Sequence, residues 1–269
     1  MKLPVADSFQ LDLRLNADVA ECIGKLMWFD SRRQERLLGH YTDKDPSLLE
    51  MIEMEKLRMR KKTANHRQFN VYEWTDSGIF TSIEFLISLD FMTSVQVSDK
   101  LKLLQNFYMK ASIFECAMRT KTDKCDQLIT PDGTIVYPKA LLESASISRE
   151  MLNKTRSLLV VKLIELQVTR EEFVLLTAIF FCNSGIPKLS ENAKTILTTQ
   201  QKSYASVLLQ YCLWSYQRSG PSRFGDLLSV CQVLDTNFNE IHGLILLFQC
   251  YMTEIKTKKL TDAAFELPN

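Results

Sequence analysis

Apolar residues recur every three or four positions along most of this chain, the period of a helix with one face turned inward. Residues 17–39 place Val19, Ile23, Leu26, Met27, Leu37 and Leu38 at that spacing, with Asn16 or Asp18 to cap the start and Gly39 to stop it. Pro46–Lys62 predicts a weaker helix on Leu49, Ile52 and Leu57, running into the basic stretch LRMRKKTANHR. That stretch fits a solvated face before a loop, with a localisation signal or a phosphate-binding patch as alternatives. From Thr75 to Leu89, Ile79, Ile83, Leu86 and Ile87 predict another helix. The next starts at Ser98 and Asp99, read as its caps, and runs to Arg119 through Leu101, Leu104, Tyr108, Ala111 and Cys116. It is apolar over most of its circumference at the centre, so it is expected to cross the interior of the fold.

The segment DQLITPDGTIVYP breaks the helical period. Pro131, Asp132 and Gly133 are turn residues flanked by Leu128–Ile129 and Ile135–Tyr137, which predicts a short β-hairpin near 127–137. Helices then resume over roughly 139–145, 148–166, 170–182 and 190–217, with boundaries at Asn183–Pro187 and Gly220–Pro221. A last long helix is predicted from Ser222 to about Thr257, and KKLTDAAFELPN closes the chain with a short helix near 260–267 stopped by Pro268. No repeat or long linker divides the 269 residues. The pattern predicts one all-α domain of about ten to twelve helices with a single small hairpin.

Composition narrows the function. Eight glycines and seven prolines are too few for the turns of a sandwich or a βαβ protein. A net charge of +1 provides no global field for nucleic acid or anionic membrane. The longest apolar stretches, Val174–Leu176 and Ala178–Cys182, fall far short of the roughly 18 residues of a membrane span. Residues 1–30 carry charges throughout and no apolar core, so no secretory signal is expected. The seven cysteines form no CxxC pair and the three histidines are scattered, so neither zinc nor a disulfide frame is predicted, and a reducing compartment is the natural reading. There is no glycine-rich phosphate loop, GxSxG elbow, HExxH or kinase signature, so an enzyme is not expected.

Residues 81–119, TSIEFLISLDFMTSVQVSDKLKLLQNFYMKASIFECAMR, resemble the signature of nuclear hormone receptor ligand-binding domains. The match falls on Phe91, Val95, Asp99, Lys100, Leu103 and Leu104, and Lys100 in place of the usual glutamine is similar to divergent nematode receptors of the hepatocyte nuclear factor four type. In the same order, TPDGTIVYP resembles the family's β-turn and REEFVLLTAIFFCNSGIPKLS its eighth helix. Arg223–Phe224 with Leu227–Leu228 resembles the tenth-helix motif. The resemblance covers roughly residues 15–267. It implies a three-layer antiparallel helical sandwich around an apolar cavity, in a nuclear transcription factor whose zinc-bearing DNA-binding domain is not in this chain. No cofactor is implied for this domain.

Several residues gain roles from that resemblance. Arg119 matches the arginine with which retinoid X receptors and the hepatocyte nuclear factor four group hold a ligand carboxylate. The alternative is that it neutralises helix C-terminal carbonyls or pairs with Asp123. The cavity wall would include Ile79, Ile83, Leu86, Ile113, Ile129 and Leu152, which as plain core residues would look the same. Glu172 and Arg223 match a structural ion pair. At the coregulator surface, Ile87 takes the place of a clamp lysine and Gln105 that of a basic residue, while Glu266 is the candidate acid on the terminal helix. Ala263, Ala264 and Pro268 poorly replace the bulky residues around it, so weak coactivator recruitment is expected. The helix over 222–257 would carry a homo- or heterodimer contact. Two functions follow: a receptor domain that senses an apolar, fatty-acid-like ligand, or a ligand-independent dimerisation and corepressor scaffold whose pocket is filled by its own Phe and Met side chains.

Overall fold

A computed structural model of the chain describes residues 17–54, 58–63, 66–136, 148–251 and 258–265. The described structure is dominated by helices, with one two-stranded antiparallel sheet. In chain order it comprises α1 (Ala17–Gly39), β1 (His40–Tyr41), α2 (Leu48–Glu53), β2 (Arg60–Lys61), α3 (Val71–Ile87) and α4 (Val97–Thr122). There follow α5 (Arg149–Glu165), α6 (Arg170–Phe181), α7 (Glu191–Tyr216), α8 (Gly220–Leu228), α9 (Val230–Tyr251) and α10 (Lys259–Phe265). Short 3-10 turns at Asp90–Ser94 and Gln217–Ser219 join α3 to α4 and α7 to α8.

The helix starts are written locally. Ser47, Asn70 and Thr169 each accept from the backbone three residues on, where Glu50, Glu73 and Glu172 reach back to the cap's own N–H. Ser148 and Ser190 cap α5 and α7 with their hydroxyls. The α4 helix is the centre of the molecule. Leu103, Leu104, Phe107, Tyr108, Ala111, Phe114, Ala117 and Met118 are all buried along it, and it packs against α2, α3, α5, α6 and α9.

Four expectations are corrected. The helix expected over Pro46–Lys62 ends at Glu53; Arg60–Lys61 instead runs extended and pairs with His40–Tyr41. Ser98 and Asp99 do not cap α4, which starts after Gln96 without a side-chain cap. Asp99 accepts from the Ser190 backbone N–H at 3.2 Å and from its hydroxyl at 2.6 Å, tying the start of α4 to the start of α7. The hairpin shrinks to a single Ile129–Ile135 bridge around the turn at Gly133, whose φ of 84° suits glycine. The helix drawn continuously from Ser222 is two, parted at Ser229, where the side-chain hydroxyl donates to Asp226 O at 2.6 Å. Gly220 meets α7 so closely that a Cβ there would lie 2.7 Å from Leu213 Cα. The helix expected over 139–145 and the end of the one expected to reach Thr257 lie outside the described residues.

Candidate ligand and coregulator sites

Arg119 lies near the end of α4, where the chain turns into the hairpin. Its Nη2 donates to Ile129 O at 2.7 Å and to Cys116 Sγ at 3.3 Å. Thr120 Oγ1 accepts from Ile129 N at 3.2 Å, and Leu128 N donates to Arg156 O of α5 at 3.0 Å, so the hairpin is gripped from two helices. Trp74 Nε1 holds the turn from α3 by donating to Asp132 at 3.0 Å. Although burial would raise it, the hydrogen bonds from Thr130, Trp74 and Thr134 hold the Asp132 carboxyl down at about 2.

The rest of the Arg119 guanidinium is less committed. Nε lies 3.9 Å from Glu115 and Nη1 lies 3.9 Å from Asp123, both too far for a hydrogen bond, and both nitrogens are shielded from water. Next to it burial pushes the Cys116 thiol up to about 11, so this cysteine is an inert thiol. Of the other wall candidates, Ile79, Ile83 and Leu86 on α3 and Ile113 on α4 belong to one packed core. Leu152 on α5 is also buried, and Ile129 is half-buried beside Arg119.

Glu172 and Arg223 form a two-pronged pair: Nε donates to Oε1 at 2.8 Å and Nη2 to Oε2 at 2.5 Å, with Glu172 fully shielded from water. Nη1 of Arg223 donates to Leu166 O, and its guanidinium lies 4.9 Å from the Tyr216 ring centre. Burial alone would lower the Arg223 value, but the Glu172 carboxylate outweighs it and raises it.

At the coregulator surface, Ile87 is half-buried at the last turn of α3 and faces a groove against α1 and α2, while Gln105 is exposed on α4. Glu266 lies outside the described residues. The terminal helix α10 is nonetheless anchored. Thr261 Oγ1 donates to Asp76 of α3 at 2.6 Å, Tyr108 OH to Leu260 O at 2.8 Å, Lys259 N to Asp45 at 2.9 Å and Lys258 Nζ to Thr42 O at 3.3 Å. Burial raises the Asp76 carboxyl above its ordinary range, even though Thr261 and Lys258 draw it down.

The sequence reading missed that anchor and a buried charged cluster. Asp30, 1% exposed, accepts from Arg33 Nη2 at 2.6 Å, Gln34 Nε2 at 2.9 Å and Arg170 Nε at 2.5 Å. Arg33 Nη1 in turn lies 3.2 Å from Glu115 of α4. A signal was available: the buried positions of α1 run 23, 26, 30, 33 and 37, so Asp30 and Arg33 occupy the apolar stripe itself.

Among the described residues no group of three or more His, Cys, Asp or Glu is placed to hold a metal ion, and no helix is long and apolar enough to cross a membrane. A family model described as the ligand-binding domain of nuclear hormone receptor matches residues 58–251. The chain is 32% identical over 237 residues to Nuclear hormone receptor family member nhr-167 of Caenorhabditis elegans, covering 88% of this chain and 69% of that protein. It is also 32% identical to family member nhr-51 over 93% of this chain and 68% of the relative. With nhr-52 of the same organism the identity is 30% over 96% of this chain and 77% of the relative. The chain belongs to the nuclear hormone receptor family, a family of transcription regulators, and is a ligand-binding domain of it.

Proposed function

We propose that this domain binds an apolar carboxylic acid and that occupancy shifts how a nuclear transcription factor meets its coregulators. The observation that carries the reading is the Arg119 guanidinium, fixed by Ile129 O and left with two water-shielded nitrogens without hydrogen-bond partners. Nε and Nη1 lie on different edges of the guanidinium and face Glu115 and Asp123 at 3.9 Å, so a ligand carboxylate would be met two-pronged only if Nη2 turned from Ile129 O to share the edge. The Glu172–Arg223 pair serves as a structural strut in this reading. The wall formed by Ile79, Ile83, Leu86, Ile113, Ile129 and Leu152 would take the apolar tail. Residues 1–269 act as one domain with the family's three-layer arrangement, the segment over 222–257 supports a dimer, and DNA contact and zinc belong to a separate domain of the parent receptor. The domain itself carries out no catalysis and takes no cofactor.

Native mass spectrometry of freshly purified protein tests this. The expected result is a reproducible increment of the mass of a small lipid acid, lost in Arg119→Gln, whose amide retains a donor for Ile129 O. A clean unliganded mass, or an increment equally present in a folded Arg119→Gln, overturns it. A second reading has its own support. The anchors of α10 come from Asp45, Asp76, Tyr108 and Thr42, none of them a wall candidate, which favours a terminal helix that docks without a ligand and a domain that serves as a constitutive interaction scaffold.

A further inference from the structure

A groove of about 240 Å³ opens between the second half of α1, the α2 helix and the last turns of α3. Its apolar floor is Phe29, Met51, Met54, Phe85 and Ile87. Phe29, Met54 and Ile87 remain half-exposed, and methionine at such a site adapts to varied apolar partners. Three arginines border the floor, against one carboxylate, Glu84. Arg36 engages Glu84 through two nitrogens, each at 2.7 Å, and Arg33 is held by Asp30 and Glu115. Arg32 forms no ion pair among the described residues. Its guanidinium is instead laid over the Trp28 ring at 4.8 Å, and that ring is itself 53% exposed. The stacking positions a flexible cation beside an apolar floor while leaving its hydrogen-bonding edge open.

Size and shape limit the occupant. The volume is below the roughly 300–1,000 Å³ of pockets that enclose a drug-sized ligand. The groove therefore suits one bulky side chain of a longer partner better than a whole small molecule. We propose that it docks an acidic amphipathic peptide segment of a partner protein, seating one bulky apolar side chain on the Met51–Met54–Phe85 floor and an adjoining carboxylate on Arg32. The proposal needs neither a bound lipid nor Arg119, so it and the ligand reading can fail separately.

The test uses the whole chain and an array of short fluorescent peptides in which one Phe or Leu is flanked by Glu at varied spacing, read by anisotropy. At least one spacing is expected to bind, with affinity about tenfold weaker when Glu is replaced by Gln, and lost when Phe or Leu is replaced by Ser. Arg32→Glu, an exposed change whose melting temperature is measured alongside, is expected to weaken binding at least as much, and Met54→Ser to weaken it further. Absence of binding across the array, equal affinity for Glu and Gln peptides, or full binding by Arg32→Glu overturns the proposal. Displacement of the peptide by 1-naphthylacetate does not distinguish the occupants by itself, so direct titration is included: saturation by naphthylacetate with no peptide bound makes the groove a small-anion site and also overturns it.

Discussion

Glu172 has two tasks: one oxygen accepts from the Thr169 N–H at 2.8 Å, closing the capping box of α6, and both oxygens meet Arg223. Its carboxylate has no access to water, so removing the guanidinium strands a charge in the interior. Arg223→Ala is expected to destabilise the domain by about 3–5 kcal/mol in urea unfolding, whereas replacing both partners with apolar residues of similar volume should cost much less. A single-variant loss below about 1 kcal/mol would mean that the pair is solvated in solution. Glu172 was singled out from sequence only through the family resemblance; the Thr169–Glu172 capping box, a three-residue spacing with a mechanism, went unread. Asp99, by contrast, was misread. An acidic residue in a first helical turn resembles a cap, yet this one accepts from Ser190, ninety-one residues away, and no local rule contains that contact.

At the level of elements, periodicity located α1, α3, α4, α5, α6 and α7 within a few residues because each has its own apolar pattern. It failed over Pro46–Lys62, where Arg60 and Lys61 take their conformation from pairing with Tyr41 and His40, and at Ser229, where the apolar spacing continues across a break. The short α10 was legible as a helix, but its docking was not. That docking depends on Asp76, a buried acid on a helix whose buried positions also include Ser77, Thr81 and Ser82. Burial raises the Asp76 value above that of an unfolded carboxyl, about 4, so the folded state holds the proton more tightly. The cost of burying the charge is therefore present at neutral pH and is relieved as pH falls through the raised value. Lys258, Asp45 and Glu73 also face this carboxyl; Lys258 opposes the shift and the two acids support it. The stability of the whole domain in urea is expected to rise on mild acidification through this group. Asp76→Asn should abolish that contribution, and Thr261→Val should speed hydrogen exchange over residues 259–263 by about tenfold at neutral pH. Exchange in α10 that ignores both substitutions would show that Tyr108 and Asp45 suffice to hold the helix.

Across the whole molecule, the charges inside are as informative as the apolar core around them. Asp30 and Arg33 on α1, Glu115 on α4 and Arg170 on α6 join three helices. Arg33 also borders the groove beneath Arg32, and Glu115 lies 3.9 Å from Arg119, so one run of charges extends from the proposed peptide groove toward the proposed ligand arginine. Asp30 is the member on which the others depend, because it accepts from two arginines at once. Burial would raise its carboxyl, but Arg33 and Arg170 together hold it below the ordinary carboxylate range. A value lowered on folding stabilises the native state above about pH 4 and is lost as pH falls through the folded value, so this junction should loosen only in acid. Asp30→Ala leaves Arg33 and Arg170 facing each other with Glu115 as the remaining counter-charge, and is expected to cost about 3–5 kcal/mol at neutral pH. The variant's acid unfolding should begin from that lower plateau and fall less steeply with pH than the unaltered domain. Equal slopes in the two proteins would move the acid sensitivity to other carboxylates and leave Asp30 as a packing residue. A reduced slope identifies the α1–α4–α6 junction as the part of the domain whose charge balance governs its stability.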